Sequence, residues 1–258
     1  MPDSNFTIAA VGDLHCTKAS TAAVQALFGQ LDPAVDVLVL CGDLTDYGLP
    51  EEAHVLAREL TSLKMPIVAT LGNHDFESGR QTEVAAILQE AGVLVLDGEA
   101  HEIGDVGFAG TKGFHGGFGR HTLEPWGEEA TKRYVQEATN EAVKLGAALA
   151  KLRTAQRVAV LHYAPIVGTV LGEPLEIYCF LGTSRLEEPL NRCEVAAVFH
   201  GHAHHGTLEG STAAGAPVYN VALPLLRAQP DQPGFRLVTL PRVARRDELA
   251  PAPAGSRA

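Results

Sequence analysis

At 258 residues, with 46% hydrophobic and 20% charged content, the chain is large and apolar enough to bury a sizeable α/β core. Its longest apolar runs, such as Val35–Cys41 and Val195–Phe199, have the length of strands and are too short to span a bilayer. Twenty basic residues against 31 acidic ones give a formal charge of −11, which argues against nucleic acid as a main partner.

The first apolar run, Phe6–Val11, is too short for a signal-peptide core, so a cytoplasmic location is expected. Four cysteines (Cys16, Cys41, Cys179 and Cys193) lie far apart in sequence, without zinc-knuckle spacing, and read as free thiols.

In chain order, Phe6–Val11 reads as a buried strand and Ser20–Leu31 as a helix, with Val24, Leu27, Phe28 and Leu31 on one face. Asp36–Cys41 is a second strand, hydrophobic throughout as in a sheet covered on both faces. Pro50 opens a helix to about Leu63, its first turn carrying Glu51 and Glu52. A strand at Pro66–Thr70, a helix at Gly79–Ala91 and a strand at Val93–Leu96 complete an alternation that implies a largely parallel sheet. Short strands at Ala100–Ile103 and Val106–Ala109 then lead into a glycine-rich stretch, Gly110–Gly119. A long helix follows at Glu128–Leu152, with strands at Arg157–Leu161, Val195–Phe199, Val218–Val221 and Phe235–Leu240. The expected architecture is α/β: two packed mixed β-sheets flanked by helices, a β-sandwich built with βαβαβ units. Residues 1–240 are expected to form one domain, and 241–258, rich in Arg, Ala and Pro, a disordered tail. Open strand edges would permit a homodimer.

Polar residues follow the apolar strands in a repeated way. Asp13 and His15 come after the first, Asp43 after the second, Asn73 and His74 after the third. His162 follows VAVL, and His202 and His204 follow AAVF. Ligands gather at the carboxyl ends of strands in open α/β sheets, so five distant segments would deliver these groups to one rim. The donor set suits two metal ions. Carboxylates can bridge cations, imidazoles suit Zn, Mn or Fe, and an amide oxygen completes the set. Two metals about 3.5–4 Å apart can activate a bridging hydroxide and hold a phosphate for in-line attack. They would also supply the positive charge that this acidic chain lacks, which favours a small phosphate-ester substrate.

The blocks GDLH (12–15), GDLTD (42–46), GNHD (72–75), LHYAP (161–165) and GHAH (201–204) resemble, in order, those of the calcineurin-like metallophosphoesterase superfamily. The resemblance spans residues 13 to 204 and implies a dinuclear hydrolase of phosphate esters. It assigns Asp13, His15, Asp43 and His204 to one metal, and Asp43, Asn73, His162 and His202 to the other. It makes His74 a catalytic group that contacts the phosphate and protonates or stabilises the leaving oxygen. Two departures are informative. Where the protein phosphatases of that superfamily carry phosphate-gripping arginines, this chain has Tyr47 and Leu71. That favours a phosphodiesterase on a small or nucleotide-like diester, with a phosphomonoesterase as the alternative. A non-catalytic scaffold keeping the fold would tend to lose such letters.

Asp46 and Asp75 could each pair with the His74 ring or cap a helix, with Asp46 the preferred catalytic partner. His115 and Arg120, in the glycine-rich stretch, are candidates for touching substrate. His200 and His205 are expected in supporting or surface roles and Trp126 as a packing residue. Substrate specificity is expected in the loops 110–127 and 166–182.

Overall fold

The computed structural model describes residues 5–230 and 234–242. Its first half is β1 (Asn5–Val11), α1 (Thr21–Phe28), β2 (Val37–Cys41), α2 (Pro50–Leu60), β3 (Ile67–Thr70), α3 (Gln81–Glu90) and β4 (Val93–Val95). The second half is β5 (Ala100–Ile103), β6 (Val106–Thr111), α4 (Glu129–Lys151), β7 (Gln156–Leu161), α5 (Tyr178–Leu181), α6 (Glu187–Arg192), β8 (Ala197–His200), β9 (Glu209–Ser211), β10 (Pro217–Asn220), α7 (Leu223–Arg227) and β11 (Arg236–Pro241).

The strands form two sheets, ordered β11-β1-β2-β3-β4 and β5-β6-β7-β8-β10-β9. In the first, β1 to β4 run parallel and β11 joins β1 antiparallel. In the second, β6, β7, β8 and β10 run parallel between the antiparallel edges β5 and β9. The expected α/β architecture of two mixed sheets with flanking helices is therefore the one observed. One apolar core unites Ile8, Leu38, Leu40 and Val68 of the first sheet with Phe108, Val158, Val160 and Phe199 of the second. A second core packs Leu145 and Leu149 of α4 and Leu190 of α6 against Leu161 and Val198. Both faces of β2 are buried, which is why its sequence does not alternate.

Differences from the expected elements have local causes. β6 runs two residues into the glycine-rich stretch, because its glycines serve close packing rather than a turn. A Cβ on Gly107 would lie 2.4 Å from the Thr154 hydroxyl, and one on Gly110 would lie 2.5 Å from the Val160 carbonyl. The elements α5, α6, α7 and β9, of three to six residues each, are too short to show a period. Of the expected tail, Pro241 ends β11, and the Arg242 guanidinium bonds Asp36 at 2.6 Å and Asp105 at 3.2 Å. Residues 243–258 lie outside the described residues. No helix among the described residues is long and apolar enough to cross a membrane.

Candidate metal centre

The carboxyl ends of β1, β2, β3, β7 and β8 meet at one rim, and each is followed within three residues by a candidate ligand. The rim is sewn together by its backbone. Asp13 N–H donates to the Gly42 carbonyl at 2.9 Å, and His15 N–H to that of Asp43 at 3.0 Å. Gly12 N–H crosses to the Val221 carbonyl at 2.8 Å, and Gly201 N–H bonds the His162 carbonyl at 3.1 Å. Ends of both sheets are thus held in register.

The glycines of these blocks are spacing devices. A Cβ on Gly72 would fall 2.2 Å from the Asp43 amide nitrogen, and one on Gly42 would fall 2.5 Å from Nδ1 of His162. On Gly201 it would sit 2.2 Å from the Asp13 carboxylate. Four candidate ligands themselves occupy the left-handed region that side chains avoid: Asp13 (φ 56°), His15 (44°), Asp43 (48°) and His202 (68°). Backbone strain of this kind costs of order 1–3 kcal/mol per residue and persists where the surroundings over-determine it.

Three donor clusters result: Asp13, His15 and His204; His15, Asp46 and His74; and Asp43, His162 and His202. Asp43 stands between the first and third. Its Oδ2 faces His15 Nε2 at 3.9 Å and its Oδ1 faces His162 Nε2 at 3.4 Å. His204 Nε2 lies 3.1 Å from Asp13 Oδ1, and the His202 amide donates to both Asp13 oxygens at 3.0 Å.

The ring tautomers follow from their main-chain partners. Carbonyls only accept, so His162 donates from Nδ1 to Cys41 (3.0 Å) and His202 from Nε2 to Phe180 (3.1 Å). In the neutral rings this leaves lone pairs on His162 Nε2 and His202 Nδ1, only 3.1 Å apart. Asn73 Oδ1 lies 2.9 Å from the same His162 nitrogen. Burial holds both rings neutral: His162 is pushed well below the usual range, and His202 down to about 3, with His162 adding to the effect. Lone pairs converging without a proton between them are the environment of a cation. His15 Nε2 is likewise buried with no hydrogen-bond partner. Burial, reinforced by Asp13 and Asp75, raises the Asp43 carboxyl to about 9, a cost that an adjacent cation would relieve. The residues present therefore fit a two-metal centre.

Within the second cluster, His74 Nδ1 donates to the backbone carbonyl of Asp46 at 2.7 Å, while the Asp46 carboxylate lies 3.3 Å from His15 Nδ1. The expected pairing of His74 with Asp46 is thus made by main chain, not side chain. Asp75 does not reach the His74 ring. It is fully buried and accepts from Leu44 N–H (3.1 Å), Thr45 N–H (2.8 Å), the Thr45 hydroxyl (2.6 Å) and Gly72 N–H (2.8 Å). It clamps the Asp43 and Asn73 loops together.

The remaining candidates are more distant. His115 bonds the Tyr134 hydroxyl and stacks on Phe114, with Tyr163 5.2 Å away between it and the His202 ring. Burial, with Lys112 nearby, lowers it to about 4. Arg120 is exposed and donates to its neighbour His121 at 3.2 Å. His200 is buried and bonds the Thr169 hydroxyl at 2.7 Å, a supporting position, whereas His205 is exposed. Trp126, at 69% exposure, is not a packing residue: it follows the turn at Glu124 and projects from the surface.

Fold and donors together define an α/β protein with a histidine–aspartate centre at the strand ends. The model of the calcineurin-like phosphoesterase family matches residues 6–206, and the chain belongs to that family. Curated proteins give no sequence match. Among solved structures, the chain is similar to the phosphopantetheinyl hydrolase PptH of Mycobacterium tuberculosis, with a TM-score of 0.65 and 15% identity over 91% of this chain and 96% of that one. It is also similar to the Thermus thermophilus protein TT1561, with a TM-score of 0.54 and 14% identity over 92% and 98% of the two chains. GAP50, the anchor in the inner membrane complex of Plasmodium, gives a TM-score of 0.52 and 12% identity over 92% and 82%. These are likenesses of fold.

Proposed function

We propose that the protein hydrolyses a small or nucleotide-like phosphodiester at a centre of two metal ions. The observation that carries this reading is Asp43, whose two oxygens face His15 on one side and His162 on the other. Asp13, His15, Asp43 and His204 would hold one ion, and Asp43, Asn73, His162 and His202 the other, with Mn, Fe and Zn all suited to the set. Bound metals supply Lewis acidity at the phosphoryl oxygens and an activated water at neutral pH.

The chain's own residues do the rest. His162 and His202 are fixed by the Cys41 and Phe180 carbonyls, so their donor nitrogens need no reorientation. The Asp46 carboxylate faces Nδ1 of His15, leaving Nε2 toward Asp43. His74 is held at Nδ1 by the Asp46 carbonyl, so its Nε2 is the nitrogen that can carry a proton to the leaving oxygen.

Diester preference is supported by the two positions that carry arginine in protein phosphatases. Leu71 is buried and apolar, and Tyr47 is 58% exposed and has no cationic group. Neither would neutralise the second charge of a monoester. The test compares bis-p-nitrophenyl phosphate with p-nitrophenyl phosphate after reconstitution with Mn. Faster turnover of the diester is expected, and faster turnover of the monoester would reverse the preference. The scaffold reading, which the anchor GAP50 brings to mind for this fold, would require both esters to be inert with the metals in place.

A further inference from the structure

Lys112 follows β6, and its carbonyl accepts from the amides of His162 (3.1 Å) and Tyr163 (3.2 Å), so its backbone is locked to the metal centre. Its ammonium points elsewhere. It lies 5.3, 5.0 and 5.3 Å from the ring centres of Phe76, Phe114 and Tyr163, and donates to the Gly113 carbonyl at 2.9 Å. An ammonium has three donors. No carboxylate lies within ion-pairing distance of it among the described residues. Glu141, on the neighbouring helix, is taken up by Lys144 (2.6 Å), the Thr111 hydroxyl and the Gly113 amide (2.8 Å). Asp97 is also paired with Lys144, at 2.6 Å.

In a chain of net charge −11, a half-buried lysine outside any ion pair stands out, with Glu141, Glu137 and Asp97 acting on it only from beyond pairing distance. The lysine lines a cavity of about 320 Å³ together with Leu71, Phe76, Gln81, Leu96 and Asp97. The cavity is lined by the same chain segment that carries part of the metal centre: Leu71 is two residues before Asn73, and Phe76 two after His74. Its walls are largely apolar, and Gln81 adds a buried side-chain oxygen with no hydrogen-bond partner. It therefore offers an apolar surface and one ammonium outside any ion pair, beside an Asp97 carboxylate that Lys144 holds. The Gln81 oxygen would take a hydroxyl or amide hydrogen of the same ligand and not its anionic group.

We propose that this cavity is a subsite for a second anionic group, a carboxylate or a further phosphate, carried on the organic part of the substrate, with Lys112 as its counter-cation. The inference rests on the phosphoester reading for the first anion, which the metals would bind. A substrate of this kind is anchored at both ends, and the aromatic rings around Lys112 limit its hydration, which strengthens the pairing.

Calorimetric titration of the Mn-loaded protein tests this with alkylphosphonates of increasing chain length, each ending in a methyl, a carboxylate or a second phosphonate. At one favoured length an anionic end should tighten binding roughly tenfold over the methyl end, as expected for a charge-assisted hydrogen bond. Lys112→Met should collapse that ratio to below about twofold, and Lys112→Arg should keep it. Preference for the carboxylate or the phosphonate end identifies the group. The proposal is overturned if no length shows a preference, if the anionic-ended ligands do not bind, or if Lys112→Met keeps the ratio. Inert bis-p-nitrophenyl phosphate alongside a Lys112-dependent ratio would instead remove the phosphoesterase reading and leave the anion subsite standing.

Discussion

His74 is held through Nδ1 by the main-chain carbonyl of Asp46, 2.7 Å away, while the carboxylate of the same residue serves His15 at 3.3 Å. One aspartate thus supports two histidines with two different atoms, and substitutions can separate them.

Asp46→Asn keeps the carbonyl and should preserve the His74 orientation while loosening His15. The expected result is a loss of metal from the cluster of Asp13, His15 and His204, with a fall in rate that excess metal largely restores. His74→Ala should lower kcat by about 10²–10⁴-fold with metal content unchanged. Elemental analysis beside kcat distinguishes them. A metal-replete Asp46→Asn as slow as His74→Ala would show that the carboxylate acts on His74 after all.

Gly72 has no left-handed backbone, so its requirement is one of space alone. Gly72→Ala would place a methyl 2.2 Å from the amide and carboxylate of Asp43. The expected cost is about 1–3 kcal/mol, typical of overpacking, together with weaker metal binding. Urea unfolding gives the first and metal titration the second. Gly79 is the contrasting case, with a φ of 72° but nothing within 4 Å of where a Cβ would stand: Gly79→Asn should leave metal binding intact.

The buried Asp43 predicts how pH acts on chelated protein. Its carboxyl is raised to about 9, so between about 4 and 9 the folded state keeps a proton that the unfolded chain has released, and stability falls as pH rises. Below about 6.5 the lowered histidines oppose this, because the unfolded chain there binds protons that the folded His162, His202 and His115 do not. Above it they no longer contribute, while His204, raised by its bond to Asp13, adds to the fall. Chelated protein should therefore lose Tm from about pH 6.5 to 9. Loading with Mn, or Asp43→Asn, should flatten that slope. Parallel slopes with and without metal would contradict a cation at Asp43.

Much of this was legible in the sequence because the chemistry sits in side chains that follow strands. The five blocks name every residue of the Asp43 and Asp13 clusters, and the continuous apolar runs mark the strands that carry them. What could not be read is carried by main chain or by contacts remote in sequence. The carbonyl of Phe180, which sets the His202 tautomer from 22 residues away, has no letter of its own, and neither does that of Asp46. Asp75 looks like a helix cap or a histidine partner, and only the fold brings four donors to it. Lys112 sits in a stretch whose glycines suggest a loop, yet two of the nearby glycines are strand residues. The three-residue β9, Glu-Gly-Ser, contains no apolar residue and gave no signal.

The meeting of strand ends from both sheets also has a consequence in time. Asp13 touches His204 across 191 residues of chain, and His162 reaches back 121 residues to Cys41. A growing polypeptide displays its first three ligand blocks long before the last two exist; those three already bond one another, but they meet His162, His202 and His204 only when β7 and β8 dock beside them. The full donor set therefore exists only once a late-made part of the chain has joined the earliest-made part of the fold.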